Sequence, residues 1–339
     1  MSAGTVSAAE LDAARLILGR MGIMPEDLLR DAADPAQAPT FADYVPVVSA
    51  AVSAGTRRVY GSYWNRLVEH WGTRRLDEPT PSEVKQLSEY VRTHVVKRRN
   101  GRGGRGASEH LIAALRCLYN HAIADGVIRA ADNPAGKVAK PRRLQSTRRA
   151  VPPDRVAEIN QAAASSGNDP QLDTLILRIH QETACRRGGA LALTPADLDP
   201  DQCLVLLKEK GDTQRWQPVS PTLMRHLLAH AAERGVPANE RLLRYRNGQP
   251  CTYRRYDHLW RRLGGLLPWV AVQGISAHWL RHTTLTWVER HFGYAVARAY
   301  AGHTETSGDV GTTATYVRAS VQEVAAALSA LTGERHPLA

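Results

Sequence analysis

The chain has 339 residues, enough for two ordinary domains, and 43% of them are hydrophobic, so there is material for real cores. Lys and Arg number 44 against 33 Asp and Glu, a net charge of +11 that suits a polyanionic partner, because each cation that neutralises a phosphate releases condensed counterions. No apolar run approaches the roughly 20 residues a membrane-spanning helix needs, and the N-terminus lacks the basic-then-apolar layout of a signal peptide. The sequence therefore reads as cytoplasmic and without a membrane partner. Cys117, Cys185, Cys203 and Cys251 are scattered without C-x-x-C spacing, which points to reduced thiols and away from a disulfide framework or a zinc site.

In chain order, Ser7 to Glu10 has the form of a capping box, and Leu11, Ala14, Ile17, Leu18 and Met21 recur at helical spacing behind it, predicting a helix over 7–21. Pro35 and Pro39 among small residues then read as a linker, so 1–40 form an N-terminal extension. From Thr56, the stripe Val59, Tyr63, Leu67 and Trp71 predicts a helix with Arg57, Arg58 and Arg66 off the stripe. Thr80-Pro-Ser-Glu83 is a second capping box, leading into Val84, Leu87, Val91 and Val95. Ser108 is a candidate cap for a third helix through Leu111, Leu115, Leu118 and Ala122. Residues 41–136 thus read as a small helical domain. The cationic loop from Lys97 to Gly106, with Arg102 and Arg105, is either a solvated surface loop or a phosphate contact.

Residues 137–153 read as a basic interdomain linker. Lys137, Lys140, Arg142, Arg143, Arg148 and Arg149 fall there among prolines with no acidic residue, a pattern suited to lie along a duplex, with a solubilising linker as the alternative. A second domain, 154–332, reads as mostly helical with one small sheet, followed by a tail, 333–339. Leu172, Leu175, Ile176 and Ile179 mark a helix that delivers Arg186 just beyond its end. Residues 203–207 and 215–219 flank Lys208 to Gln214 as two strands of a hairpin. Ser220 and Pro221 start a helix through Ala232, and further helices are expected near 253–263, 277–291 and 321–331.

The chemistry concentrates in the second domain. His278 and Arg281 stand three apart at the start of a predicted helix, with Ser276 as its N-cap, so an imidazole and a guanidinium can converge on one anion, for which a phosphate is the natural candidate. His278 and His282 also have the four-residue spacing of metal ligands, but no Glu follows the first His as in H-E-x-x-H, and no metal is expected. Thr183-Ala-Cys-Arg186, Lys210-Gly211, His278 to His282, Gly302-His303 and Thr312 to Tyr316 together resemble, in order and near spacing, the catalytic signature of the tyrosine recombinase (phage integrase) family.

The resemblance covers residues 56–331. It implies a helical core-binding domain and a mixed α/β catalytic domain, mainly α with a small β-sheet, closing on DNA as a C-shaped clamp. It also implies site-specific recombination through a covalent 3′-phosphotyrosine. In that chemistry Arg186 and Arg281 balance charge on the phosphoryl oxygens, and His278 donates a hydrogen bond and exchanges the tyrosine proton. Lys210 protonates the departing 5′ oxygen, His303 is a further donor, and Tyr316 attacks. No cofactor is called for. The implied partners are double-stranded DNA, contacted by Arg57, Arg58, Arg102, Arg105, Lys137, Lys140, Arg142 and Arg143, and further copies of the chain, monomeric when free and tetrameric on two DNA sites. Accessory recombinases or directionality factors belong to the same implied set, and the location is the nucleoid. The alternatives are a type IB topoisomerase-like nicking-closing enzyme and a non-catalytic DNA-binding protein on the same fold.

Two departures stand out. The family usually has Glu or Asp three residues after its first Arg, where this chain has Gly189, and the interval from His303 to Tyr316 is a few residues longer than typical. The apolar stripe Val321, Val324, Leu328 and Leu331 has two readings, packing on its own domain or docking on a neighbouring protomer, and the resemblance favours the neighbour.

Overall fold

In the computed structural model, the described residues are 7–22, 38–95, 102–142, 148–209, 213–302 and 319–339. They fall into two compact units, Met1–Leu144 and Gln145–Ala339.

In the first unit, α1 (Ala8–Met21) starts at the Ser7 capping box, in which Ser7 and Glu10 satisfy each other's backbone N–H groups. It buries none of its residues. The core is built by α2 (Phe41–Ala51), α3 (Ala54–Trp71), α4 (Pro81–His94) and α5 (Arg105–Ala124), with Phe41, Trp64, Leu67, Val84, Leu111 and Leu118 among its buried members. The stripe of α3 is rotated from the expected one: Trp64, Leu67 and Trp71 are buried, while Val59 is 45% exposed. Trp64 Nε1 donates to Ala114 O at 3.0 Å, so α3 is held to α5 by a polar contact inside the apolar interface. Ser108 does not cap α5. Gly103 and Gly104, both at positive φ, turn the chain into the helix four residues earlier, with Gly104 at the N-cap position, and Ser108 is buried against Ser88, hydroxyl to hydroxyl. Only glycine fits at 104, because a Cβ there would lie 2.0 Å from Arg92 O.

The second unit begins with α6 (Pro153–Ala164) and α7 (Pro170–Thr183), then the short α8 (Arg187–Ala192). A three-stranded antiparallel sheet follows in the order β1 (Leu198–Asp199), β2 (Leu204–Lys208), β3 (Gln214–Pro218). Leu204 pairs with Pro218 and Lys208 with Gln214, and Glu209 N–H donates to Thr213 O at 2.8 Å to close the hairpin. Helices α9 (Pro221–Glu233), α10 (Tyr253–Leu266) and α11 (Pro268–Gln273) pack with α6, α7 and the sheet around Ile176, Val205, Leu223, Leu259 and Leu280. Among the described residues, the last two helices are α12 (Ala277–Ala301), interrupted at Gly293, and α13 (Val321–Thr332).

Helix α13 corrects one expectation. Val324, Ala327 and Leu328 are buried with Val288, Val296 and Tyr300 of the same chain, so the middle of the stripe is covered within its own unit, with Val321 and Leu331 at its ends half-buried. The residues beyond it are anchored too. Glu334 accepts from Arg178 Nη2 (2.9 Å) and from Thr222 N–H (3.1 Å), and His336, 1% exposed, reaches Cys203 O at 3.1 Å.

Candidate active site

Three segments of the second unit meet here: the turn after α7, the β2–β3 hairpin, and the two ends of α12. Helix α7 is closed by Ala184, whose φ of 48° and ψ of 24° are left-handed. An alanine holds that conformation at a cost of roughly 1–2 kcal/mol, which glycine avoids. The bend makes Arg186 the N-cap residue of α8 and leaves its side chain 40% exposed.

A single carboxylate organises the centre of the site. Glu209, the first residue past β2, has a fully buried side chain that accepts from the Arg186 backbone N–H (2.5 Å), Arg186 Nη1 (2.9 Å) and Arg215 Nη1 (2.6 Å). Burial pushes its carboxyl pKa up. The Arg215 charge, the Arg186 N–H and the Arg186 charge together overcome this and hold it below the usual value, so the group stays ionised. Arg215 reaches further, to Thr183 O (3.5 Å) and Tyr300 O (3.3 Å), and so ties the hairpin to the ends of α7 and α12.

His278 and Arg281 both lie in the first turn of α12, but the structure gives them different surroundings. Arg281 is 4% exposed; its Nη1 donates to Ala184 O and its Nη2 to Ala301 O at 2.8 Å. Burial and the neighbouring Arg186 pull its pKa down to about 10, which still leaves it charged at neutral pH. His278 is exposed. Partial desolvation, then Arg148, Arg281, His282 and Arg186, keep its pKa below the ordinary 6.5, so at neutral pH it is an uncharged imidazole able to accept a proton. Ser276 occupies the N-cap position without a capping side-chain hydrogen bond. His282 turns back to Thr286 Oγ1 at 2.9 Å, and among the described residues no group of three or more His, Cys, Asp or Glu could hold a metal.

Gly302 closes α12 with φ 62°, and a Cβ on it would lie 2.3 Å from Arg215 Nη1. Both the backbone conformation and the passing guanidinium therefore demand glycine. Lys210, His303 and Tyr316 lie outside the described residues, as does Arg143, and the side chain of Arg102 is likewise outside them.

The candidate DNA-contacting residues of the first unit have varied surroundings. Arg57 spends its guanidinium on Ser49 O (2.6 Å), Ala50 O and Val52 O (both 3.4 Å) at the end of α2. Arg58, Arg105, Lys140 and Arg142 are exposed. Lys137 donates to Ala131 O at 2.9 Å, and Arg116 holds Ala135 O and Val138 O with Val138 buried, so the start of the basic linker is packed down on this unit. Sequence reasoning passes over Glu209 and Arg215. The usable signal is the strand period of two: Arg215, Gln217 and Val219 share a face, and Gln217 and Val219 are buried.

A model of the phage integrase family matches residues 149–323. No curated protein matches the chain. Among solved structures, a lambda integrase tetramer bound to a Holliday junction aligns with a TM-score of 0.60 at 15% identity, over 95% of this chain and 89% of that one. A lambda integrase dimer bound to a COC′ core site gives 0.60 at 15%, over 92% and 86%. The Tn1549 transposon integrase in complex with transposon right end DNA gives 0.61 at 15%, over 87% and 100%. At these identities the likeness is one of fold.

Proposed function

We infer the division of labour in this site from one premise: the chain belongs to the phage integrase family and is a tyrosine site-specific recombinase, an enzyme that breaks and rejoins DNA strands. The observation that carries the residue assignment is the charge of the site. Arg186, Arg215 and Arg281 gather around one carboxylate, Glu209, and three positive charges against one negative leave a surplus of two among these four groups. Keeping like charges together away from water is unfavourable unless an anion completes the set.

In our reading the missing anion is the scissile phosphate. Arg186 and Arg281 donate to its non-bridging oxygens, where a preorganised donor contributes about 3 kcal/mol to the transition state. Tyr316 Oη attacks phosphorus and forms the 3′-phosphotyrosine, His278 takes the phenolic proton, and Lys210 gives a proton to the 5′ oxygen as its bond to phosphorus breaks. His303 is a further donor to the phosphate. Attack by a 5′ hydroxyl on the phosphotyrosine reverses the sequence and releases Tyr316. Bond energy is conserved throughout, so the reaction needs no nucleotide cofactor, and the side-chain cations do the work a metal would otherwise do.

The lambda and Tn1549 integrases were solved on DNA, lambda integrase as a dimer and as a tetramer. We assign this chain a double-stranded DNA substrate and a tetramer on two sites, with Arg58, Arg105, Lys140 and Arg142 as backbone contacts and the cytoplasm as its location. The test is a nicked suicide substrate in excess EDTA. A covalent protein–DNA adduct is expected from the wild type and none from Tyr316→Phe, with half-site binding unchanged. Binding without an adduct from the wild type would identify a DNA-binding protein that does no chemistry, and an adduct from Tyr316→Phe would remove Tyr316 from its role.

A further inference from the structure

We propose that Glu209 is the positioning residue of the phosphate-binding Arg186 in this chain, supplying from the hairpin the carboxylate that the family pattern puts at position 189. The inference rests on the reading that Arg186 binds the scissile phosphate, and on the packing of Gly189, Glu209 and Arg186 against one another.

Gly189 is buried in α8, one turn past Arg186. A Cβ built on it would lie 3.1 Å from Glu209 Cγ and 3.3 Å from Glu209 Oε1, closer than such contacts ordinarily run. The space over α8 that a side chain at 189 would enter is thus filled by the side chain of Glu209. Any residue larger than glycine at 189 requires Glu209 to move, and the absence of a side chain at 189 is what admits Glu209. The two positions are complementary: one has given up its side chain and the other occupies the room.

Glu209 is also well placed to do more than fill space. One oxygen takes the Arg186 backbone N–H, which fixes the start of α8, and the other takes Arg186 Nη1 and Arg215 Nη1 together. The guanidinium of Arg186 is thereby held through Nη1, while its side chain as a whole stays 40% exposed and open to an anion. Because Glu209 directly precedes Lys210 in sequence, the same carboxylate anchors the strand end from which the proposed general acid departs. A carboxylate at 189 would orient the arginine without this second link, so the arrangement here couples the phosphate-binding arginine to the hairpin.

Glu209 does not touch the reacting atoms, and the test has to separate positioning from mere support of the fold. Single-turnover cleavage of a suicide substrate, half-site affinity and melting temperature are measured for Glu209→Gln, Arg186→Lys and the two together. Glu209→Gln is expected to bind the half-site as the wild type does but to cleave about 10²-fold more slowly, the scale of loss from a misplaced reacting geometry. In the Arg186→Lys background the same change should cost little, because the group it positions is gone. Fully additive losses, or wild-type cleavage by Glu209→Gln, overturn the proposal. If Glu209→Gln does not fold, the swap Gly189→Glu with Glu209→Ala decides. Cleavage well above that of Glu209→Ala alone supports the proposal, and a folded swap no faster than Glu209→Ala overturns it. Wild-type cleavage by Arg186→Ala would instead refute the assignment of Arg186 to the phosphate.

Discussion

Arg57 in the first unit and Arg281 in the second both hold backbone carbonyls at helix ends, and the contrast between them separates a structural arginine from one that serves the site. Arg57 is exposed and its three hydrogen-bond partners are carbonyls at the end of α2, so it acts as an external cap on that helix. Arg281 is buried, uses two nitrogens on Ala184 O and Ala301 O, and sits beside Arg186 and Arg215, whose charges oppose its own. The carbonyls fix its position but cannot neutralise it. A buried cation held in place with its charge only partly balanced is prepared for an anion, and an exposed one with water at hand is not.

Removing each arginine tests that contrast, and the largest effect is expected at Arg281. Arg281→Ala should slow cleavage by about 10²- to 10³-fold, the loss typical of one preorganised donor. It should also lower stability, since Ala184 O and Ala301 O lose a buried partner at about 1–3 kcal/mol each. Arg57→Ala should cost only about 0.5–1.5 kcal/mol, because water replaces it on carbonyls near the surface, and the single-turnover rate should be unchanged. Chemical denaturation together with single-turnover cleavage separates the two, and a rate defect in Arg57→Ala would dissolve the distinction.

The next effect lies behind the site. Leu328 of α13 is 1% exposed, in the cluster that includes Val288 and Tyr300, and Tyr300 O is one of the carbonyls Arg215 holds. Leu328→Ala should destabilise the free protein by about 2–5 kcal/mol, as for other buried leucines. Were α13 to find its partner only in another protomer, the free monomer would melt as the wild type does, and differential scanning calorimetry distinguishes the two cases.

The pH dependence of cleavage sharpens the contrast between Arg281 and His278, which share a helix turn. Arg281, at about 10, keeps its proton through neutrality, whereas the pKa of His278 lies below 6.5. In the role proposed for it, the neutral imidazole accepts the tyrosine proton, and this form predominates above its folded-state pKa. Cleavage should therefore be flat near neutrality and fall as pH drops, with the midpoint of the acid limb below 6.5. In His278→Asn that limb should vanish while the neutral rate falls; an acid limb unchanged in the mutant would move the base elsewhere.

Much of this architecture is legible in the sequence because local signals agree with the fold. The capping residues Ser7, Thr80 and Ser220 start α1, α4 and α9, and the apolar pattern of 172–179 delivers Arg186 at the end of α7. Helix α2 is not legible as an element: Pro46 in its interior masks the pattern of Phe41, Val45 and Val48, whose burial in the tertiary core outweighs the missing N–H. His278 and Arg281 are paired by their three-residue spacing, and Arg186 is found only through the order of motifs that resembles the family. Glu209 is found by neither, because its role depends on an empty position twenty residues earlier in the chain that packs beneath it, a relation no local pattern encodes. Nor can spacing tell that Arg57, exposed like Arg58 next to it, has its guanidinium committed to carbonyls.

The smallest effect is expected from the cations near the end of the first unit. If they lie on the DNA backbone, each contributes through counterion release and lowers the dependence of binding on salt when removed. Replacing Lys140, Arg142 and Arg143 by Ala should reduce the magnitude of the slope of log K against log salt by up to about three units, one for each phosphate contact, with little change in the cleavage rate of the bound complex. Arg57→Ala offers the internal comparison. Its guanidinium is already occupied by Ser49 O, Ala50 O and Val52 O, so the slope should stay where it is in the wild type. Half-site titrations between low and moderate salt measure both. A slope unchanged in the triple variant would make this segment a linker that happens to be basic. A slope reduced by Arg57→Ala would mean that the arginine leaves its carbonyls when DNA arrives, and that its commitment in the free protein is exchangeable.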